Sequence, residues 1–405
     1  MRLTRWLLLS SASLLGVCAV GCSSRATEDP SSDSTEALSG PSSIVADGAT
    51  QSLLTRYWNG SYLNDADPAT PGSCGRDACY WIYAQAFDAV LDAVQRTGGK
   101  RFSSWVGRFY DAQEARGWIE PPGSKYFDDE NWMALALIRA YDATGDTRYL
   151  CRAVSLYRDV KSEGFDRSGG SFHGIWWNAA HTQKATASNF GPAITAARLH
   201  ERPAMDACSE ADRGFVDAAT AGSDARAIYD SWRDAMTRTE APGDREVADD
   251  AASGCPGGVC WWNFTYDQGL AVGAAVELQH ITGDSRYLSD AREYANYVIH
   301  HETASGVLYD AGSCLGDCAA FKGIGYRFLV KLYELDPSEK QLGDILRASA
   351  QSIWNEARDA PHDTFGTEWT GPAPTRPTLA ADASAVMALN LAVEWGLGGS
   401  GGAGR

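Results

Sequence analysis

The chain has 405 residues, 44% of them hydrophobic, with 52 acidic residues against 35 Lys and Arg and a formal charge of −17. An acidic chain with no basic block lacks the electrostatic footprint for nucleic acid or an anionic polymer, and its length suffices for one large hydrophobic core. Fourteen Trp and seventeen Tyr supply many ring faces, which serve equally as core filling or as platforms for sugars.

Residues 1–22 read as a leader. Arg2 and Arg5 form a positive start, Trp6 to Val17 a short apolar run, and Ala19-Val20-Gly21-Cys22 resembles a bacterial lipobox. The run is too short to span a bilayer, so a cleaved signal fits better than a membrane helix. Cys22 would then be the lipidated first residue of an exported bacterial lipoprotein held at the cell envelope or cell surface. Ala19 stands where such motifs usually carry Leu, which keeps plain secretory cleavage as the alternative. Residues 23–44 are mostly Ser, Thr, Asp, Glu, Gly and Pro and read as a disordered tether. Residues 45–397 form the single folded domain, and 398–405 a Gly-rich tail.

The domain reads as helix throughout, in two alternating textures. Tyr149-Leu150, Ala153-Val154, Tyr157 and Val160 recur at helical spacing with charges between them, as do Tyr287-Leu288, Ala291, Tyr294-Ala295 and Val298. These are one-faced surface helices. Trp132 to Ile138, Leu270 to Val276 and Ala385 to Ala392 are apolar or small on every side and must be buried all round. Inner helices are expected to start near Cys79, Asp128, Ala185, Tyr266, Ala319 and Ala383, and outer ones near Val45, Lys100, Asp146, Asp224, Asp284 and Pro337. A repeat supports the alternation: Thr144-Gly145-Asp146-Thr147-Arg148-Tyr149-Leu150 returns as Thr282-Gly283-Asp284-Ser285-Arg286-Tyr287-Leu288. In each copy Gly ends an inner helix and Asp caps the next outer one. The fold expected is all-α, an (α/α)6 toroid of six inner and six outer helices without a β-domain. The loops into the inner helices are long and carry the aromatics, so a cleft is expected at that end.

Of the ten cysteines, Cys18 and Cys22 lie in the leader. The other eight, an even number in an exported chain, imply disulfides. Cys74 with Cys79, Cys255 with Cys260 and Cys314 with Cys318 are loop-local pairs, which leaves Cys151 for Cys208. Zinc is the rival reading, but no pair has the CxxC spacing and no His clusters beside them. No metal is expected.

The chemistry centres on Tyr126-Phe127-Asp128-Asp129-Glu130-Asn131-Trp132, directly before an unbroken apolar run. A helix N-terminus stabilises a carboxylate, and one Asp there is an ordinary cap. Two side by side exceed what a cap needs, and glycosidic-bond hydrolysis requires such a pair. Other polar and aromatic groups precede or open the inner helices: Gly174-Ile175-Trp176-Trp177-Asn178 with Lys184 and Ser188-Asn189, Phe264-Thr265-Tyr266-Asp267-Gln268-Gly269, Phe321-Lys322-Gly323, and Glu368-Trp369.

In order and over essentially the whole domain, this set resembles glycoside hydrolase family 76, the bacterial and fungal α-1,6-mannanases. The resemblance implies that Asp128 and Asp129 are the catalytic pair of a retaining endo-α-1,6-mannanase, with Asp128 the nucleophile and Asp129 the general acid/base. Retention needs the two carboxyls about 5–5.5 Å apart. Asp129 must also hold a proton against the pull of the helix terminus, which the charge of Asp128, helped by Glu130, would secure. The resemblance further implies sugar contacts from Asn131, Trp176, Trp177, Asn178, Asn189, Tyr266, Asp267, Gln268, Lys322 and Trp369. For each aromatic, ordinary packing is the competing reading. Two departures bear on detail: Asp267 replaces the usual Asn of Thr-Tyr-Asn-Gln-Gly, and Ser171-Phe172-His173 lengthens the glycine-rich loop before Trp176.

The expected partner is mannan or another α-mannosyl polysaccharide, met by a monomer with no cofactor, no nucleic acid and only a lipid anchor in the membrane. The alternatives are a transglycosidase on mannosyl glycans, where a sugar hydroxyl replaces water, and a non-catalytic glycan-binding surface lipoprotein. A binder has no need of two crowded carboxylates. Sugar epimerases of this fold rely on His-rich centres, and this chain has seven His, of which only His173 and His181 fall in the motif loops.

Overall fold

Residues 41–66, 75–310 and 316–397 are described by the computed structural model. Cys22, the leader and nearly all of the tether lie outside these residues, as do Cys74, Cys314 and the Gly-rich tail. Among the described residues no helix is long and apolar enough to cross a membrane.

The helices are α1 (Ser43–Tyr57), α2 (Tyr80–Arg96), α3 (Ser103–Arg116), α4 (Phe127–Thr144), α5 (Thr147–Asp159), α6 (Ala187–His200), the single turn α7 (Glu210–Arg213), α8 (Ala218–Met236), α9 (Thr265–Thr282), α10 (Ser285–His301), α11 (Phe321–Leu335), α12 (Lys340–Asn355) and α13 (Leu379–Glu394). Six of them, α2, α4, α6, α9, α11 and α13, are each in contact with the next, and α13 closes back on α2. The others pack outside this ring, α1 on α13, α3 on α2, α5 on α4, α8 on α6, α10 on α9, and α12 on α11 and α13. The result is an (α/α)6 toroid.

Burial follows the two textures of the sequence. α13 buries every residue from Leu379 to Ala392, whereas α5 buries one stripe through Tyr149, Leu150, Ala153, Val154 and Tyr157. The repeat also behaves as its residues dictate. Gly145 and Gly283 adopt left-handed φ of 72° and 71° at the ends of α4 and α9. Asp146 and Asp284 then accept the backbone N–H of Arg148 at 3.0 Å and of Arg286 at 2.9 Å.

Two glycine contacts set the spacing of the ring. A Cβ on Gly269 would stand 2.6 Å from the Cα of Gly325, and one on Gly323 would stand 2.6 Å from the Cα of Ser384. The glycines of the Gln268-Gly269 and Lys322-Gly323 motifs therefore let α9, α11 and α13 approach closely. A methyl at either place would overpack the ring by about 1–3 kcal/mol.

The structure differs from expectation in two respects. α8 starts at Ala218, several residues before the expected Asp224, because Asp217 and Thr220 form a reciprocal capping box. Asp224 instead sits inside the helix, accepting from Tyr157 at 3.0 Å and paired with Lys161. Among the described residues the loops also hold nine strands of two to five residues: β1 (Gln183–Ala185), β2 (Thr237–Ala241), β3 (Asp244–Val247), β4 (Asp250–Ala252), β5 (Val259–Cys260), β6 (Thr303–Ala304), β7 (Val307–Leu308), β8 (Arg358–Asp359) and β9 (Thr364–Phe365). Three of them form an antiparallel sheet in the order β1-β4-β5, and the rest pair as hairpins. They pin the loops and make no separate domain.

Cys151 is bonded to Cys208 and Cys255 to Cys260, with Cα separations of 5.3 and 4.9 Å. Cys79 and Cys318 are also oxidised; their expected partners lie outside the described residues.

Candidate active site

Asp128 and Asp129 occupy the first turn of α4, and the segment before it is held by the loop that carries Trp177. Phe127 donates its backbone N–H to the Trp177 carbonyl at 2.9 Å, and Ala179 donates to the Lys125 carbonyl at 3.1 Å. This short ladder lays the Trp177 ring 4.8 Å from that of Tyr126 and brings its indole N–H to Asp128 Oδ2 at 3.1 Å. Asn189 secures the same loop from below. Its side chain accepts from the Ile175 N–H at 2.8 Å and donates to the Ile175 and Ala185 carbonyls.

Both aspartates line a cleft of about 830 Å³ at the end where the inner helices begin. Its wall includes first-turn residues of α2, α4, α6, α9 and α11, among them Trp81, Tyr266 and Phe321. Gln183 of β1 and the Asp249-Asp250 pair reach it from the three-stranded sheet, and Glu120 and Asp317 from loops. Trp262 and Ile119, also in the lining, are 51% and 43% exposed, so an apolar surface continues beyond the acids.

Six carboxylates line this cleft, Glu120, Asp128, Asp129, Asp249, Asp250 and Asp317, with Arg116 the one cation among the described lining residues. Burial and crowding therefore favour protons. Burial pushes Asp128 up to about 7, against the opposing pull of the Trp177 hydrogen bond and nearby backbone N–H groups. Asp129 is held well above the ordinary carboxylate range, first by burial, then by the charges of Asp128, Glu120 and Asp317. Burial and the neighbouring Asp249 raise Asp250 to about 7. The two adjacent acids are treated differently: the Trp177 N–H favours the carboxylate of Asp128, while three acids favour the protonated form of Asp129. This is the division of roles acid/base chemistry needs.

Glu130 takes no part in that division. It is fully buried beside Lys125 at 4.0 Å, outside the cleft lining, and burial and the adjacent Asp159 push it to about 10. Apart from Asp128, the acids that crowd Asp129 are Glu120 and Asp317, which come from other segments of the chain.

Of the catalytic and sugar-contact residues that the resemblance implies, Asp128, Asp129, Trp177 and Tyr266 come together in the cleft; the others of that set lie outside its lining. Asn131 accepts the Thr195 hydroxyl at 2.6 Å, tying α4 to α6. Trp176 stacks on His181, ring centroids 5.4 Å apart, with the Lys184 ammonium 4.3 Å from its ring. Asn178 accepts the Ala180 N–H at 3.0 Å and so closes a turn. Lys322 is buried in an ion pair with Asp310 at 3.2 Å. Trp369 is buried against Tyr326, and Asp267 and Gln268 are buried in the first turn of α9.

Sequence reasoning passed over Glu120, Gln183, Asp249, Asp250 and Asp317. Asp249-Asp250 is a second adjacent pair and could have been found on that signal alone. Asp317 and Glu120 carry no local signal. Away from the cleft, Glu201, Glu277 and His280 lie close enough to share an ion, but Arg198 already donates to Glu277 at 2.7 Å, and the group is largely exposed.

A family model described as Glycosyl hydrolase family 76 matches residues 44–394. A search of curated proteins finds no match. Among solved structures, the Lin0763 protein of Listeria innocua is 26% identical with a TM-score of 0.73, covering 88% of this chain and 97% of that one. An inactive variant of the α-1,6-mannanase GH76A of Salegentibacter sp. HEL1_6, with two consecutive aspartates changed to asparagine and α-1,6-mannotriose bound, is 23% identical with a TM-score of 0.74. That match covers 87% of this chain and 98% of that one. Dfg5 of Chaetomium thermophilum, in complex with glucosamine, is 17% identical with a TM-score of 0.69, covering 90% and 92%.

Proposed function

Because the chain belongs to glycosyl hydrolase family 76 and is thus a glycoside hydrolase, we propose that it cuts α-1,6-linked mannan internally, by a retaining mechanism run by Asp128 and Asp129. The observation that carries this reading is the pair itself: two neighbouring carboxyls in one cleft, the first hydrogen-bonded by Trp177, the second kept protonated by burial and three acids.

In the first step Asp129 gives its proton to the glycosidic oxygen while Asp128 attacks the anomeric carbon. The C–O bond to the leaving sugar breaks and an ester to Asp128 forms. Asp129, now a carboxylate, then takes a proton from water, whose oxygen displaces Asp128 and restores the starting configuration. The Trp177 N–H favours the anionic form of Asp128 before attack and again as it leaves. Tyr266 stacks on Phe321 at 4.0 Å, and with Trp81 and the exposed Trp262 these rings offer apolar faces to pyranoses. The mannanase of the same fold is inactive once its two consecutive aspartates become asparagines, and it holds α-1,6-mannotriose; both facts favour this assignment. An exported lipoprotein anchored through Cys22 at the cell surface completes the proposal.

The test is product analysis on unbranched α-1,6-mannan with the anomers followed by NMR. A ladder of oligosaccharides whose new reducing ends first appear as α-anomers supports the reading. Release of mannose alone, or of β-anomers first, overturns it.

A further inference from the structure

Asp267 lies in the first turn of α9, and its surroundings decide its protonation state. The side chain is fully buried and neither of its oxygens meets a hydrogen-bond donor. The groups facing it are acids: Asp249 and Asp250 from the segment entering β4, and Glu302 from the residue after α10. Glu302 in turn faces Asp310 and Glu246 of β3. The cations on these neighbouring elements are already engaged, Lys322 with Asp310 and Arg238 with Glu246. An ionised Asp267 would be a buried charge with no partner, which protein interiors do not hold. As a carboxylic acid it gains an O–H, and the group it then bonds is Asp249. Asp249 lines the cleft and also accepts the hydroxyl of Tyr266.

We propose that Asp267 is a positioning residue: from behind the cleft it gives its carboxyl hydrogen to Asp249, and so fixes Asp249 and the Tyr266 hydroxyl as one wall of the sugar site. Asn at this place would supply an N–H at every pH. Asp supplies its hydrogen only while protonated. When that proton leaves, two buried carboxylates repel, Asp249 turns away, and Tyr266 loses its acceptor. Asp128 and Asp129 are untouched, so the loss falls on substrate binding.

The inference rests on the proposed mannoside substrate for its kinetic arm only, so the first measurement uses none. An infrared difference spectrum between wild type and Asp267→Asn near neutral pH should show one carboxylic-acid carbonyl band lost from the wild type. If the lost band is that of a carboxylate, the proposal is overturned whatever the enzyme cleaves. The second measurement is KM and kcat against pH on an aryl α-mannobioside, whose leaving group needs no protonation. Wild type should show KM rising on the alkaline side, and Asp267→Asn should lose that rise. Asp267→Leu, with similar bulk and no hydrogen to give, should raise KM roughly tenfold across the range, about the value of one hydrogen bond to a charged group. Equal alkaline behaviour in wild type and Asp267→Asn would overturn the proposal. Failure of the wild type to cleave any mannoside would count against the substrate and leave the infrared result to decide the role of Asp267.

Discussion

The Trp177 indole donates to Asp128 Oδ2 at 3.1 Å, so the first acid of the pair is held by a ring from a different loop. The bond stabilises the carboxylate form, which opposes the burial that raises Asp128 to about 7. Trp177→Phe keeps the ring and removes the donor. Asp128 should then ionise at higher pH, and the acidic limb of kcat/KM should move upward by about one unit, the equivalent of a charge-assisted hydrogen bond of about 1.4 kcal/mol. A pH–rate profile decides it; an unmoved acidic limb would remove Trp177 from the chemistry.

The raised acids also predict how stability varies with pH. A carboxyl whose folded pKa lies above its unfolded value binds its proton more tightly when folded. Its favourable contribution is complete below the unfolded pKa, near 4, and is lost as pH rises to the folded one. For Asp128 and Asp250 that window runs from about 4 to about 7, with a slope of up to about 1.4 kcal/mol per pH unit for each. Melting temperature should fall across this range. Asp128→Asn should flatten the fall, leaving the variant more stable than wild type at pH 8 and no more stable at pH 4. Parallel melting curves would show that Asp128 does not carry this strain.

Cys151 and Cys208 close a loop of 57 residues that contains α6 and the Trp177 loop, yet neither lines the cleft. Replacing both with Ser should cost about 2–4 kcal/mol by releasing chain entropy in the unfolded state. The kcat/KM at a temperature where the variant is folded should stay within about twofold, since sites that share no partners usually couple by less than about 0.5 kcal/mol. Denaturant melts and initial rates measure the two effects separately.

The ring was legible because its helices state their burial locally. An apolar run such as Ala385 to Ala392 fits nowhere but inside, and the Thr-Gly-Asp repeat writes its own caps. The strands were not legible, since two to five residues show no period and only pairing defines them. The cleft divides the same way. Asp128-Asp129 announces itself as two acids before one helix, whereas Glu120 and Asp317 join it only when the toroid closes. Polar motif residues were the harder class. Asn189 reads in sequence as a sugar ligand, but in the fold its side chain bonds the Ile175 and Ala185 backbone and the Ser188 hydroxyl, holding the loop that carries Trp177. Lys322 likewise points to an internal partner, Asp310. A motif shows that a polar group belongs at a position and leaves open which side of the wall it serves.

The roles of the two acids can be separated by making each fail in its own way. Asp128→Asn removes the atom that would bond the sugar, so turnover should fall by several orders of magnitude on every substrate. Asp129→Asn leaves that atom and removes the proton. With an activated aryl α-mannobioside the leaving group departs without help, so the first step should persist and the ester to Asp128 should accumulate. Azide is an anion that needs no base to activate it. It should therefore attack the accumulated ester, restore turnover in Asp129→Asn, and yield a mannosyl azide with the α configuration of the substrate. An α-configured azide from Asp128→Asn and a β-configured one from Asp129→Asn would exchange the two assignments, because azide that replaces a missing nucleophile acts in a single displacement and inverts the centre. Full activity in both variants would remove the pair from catalysis altogether, and with it the reason Asp129 is held so far above the ordinary carboxylate range by burial and three neighbouring acids.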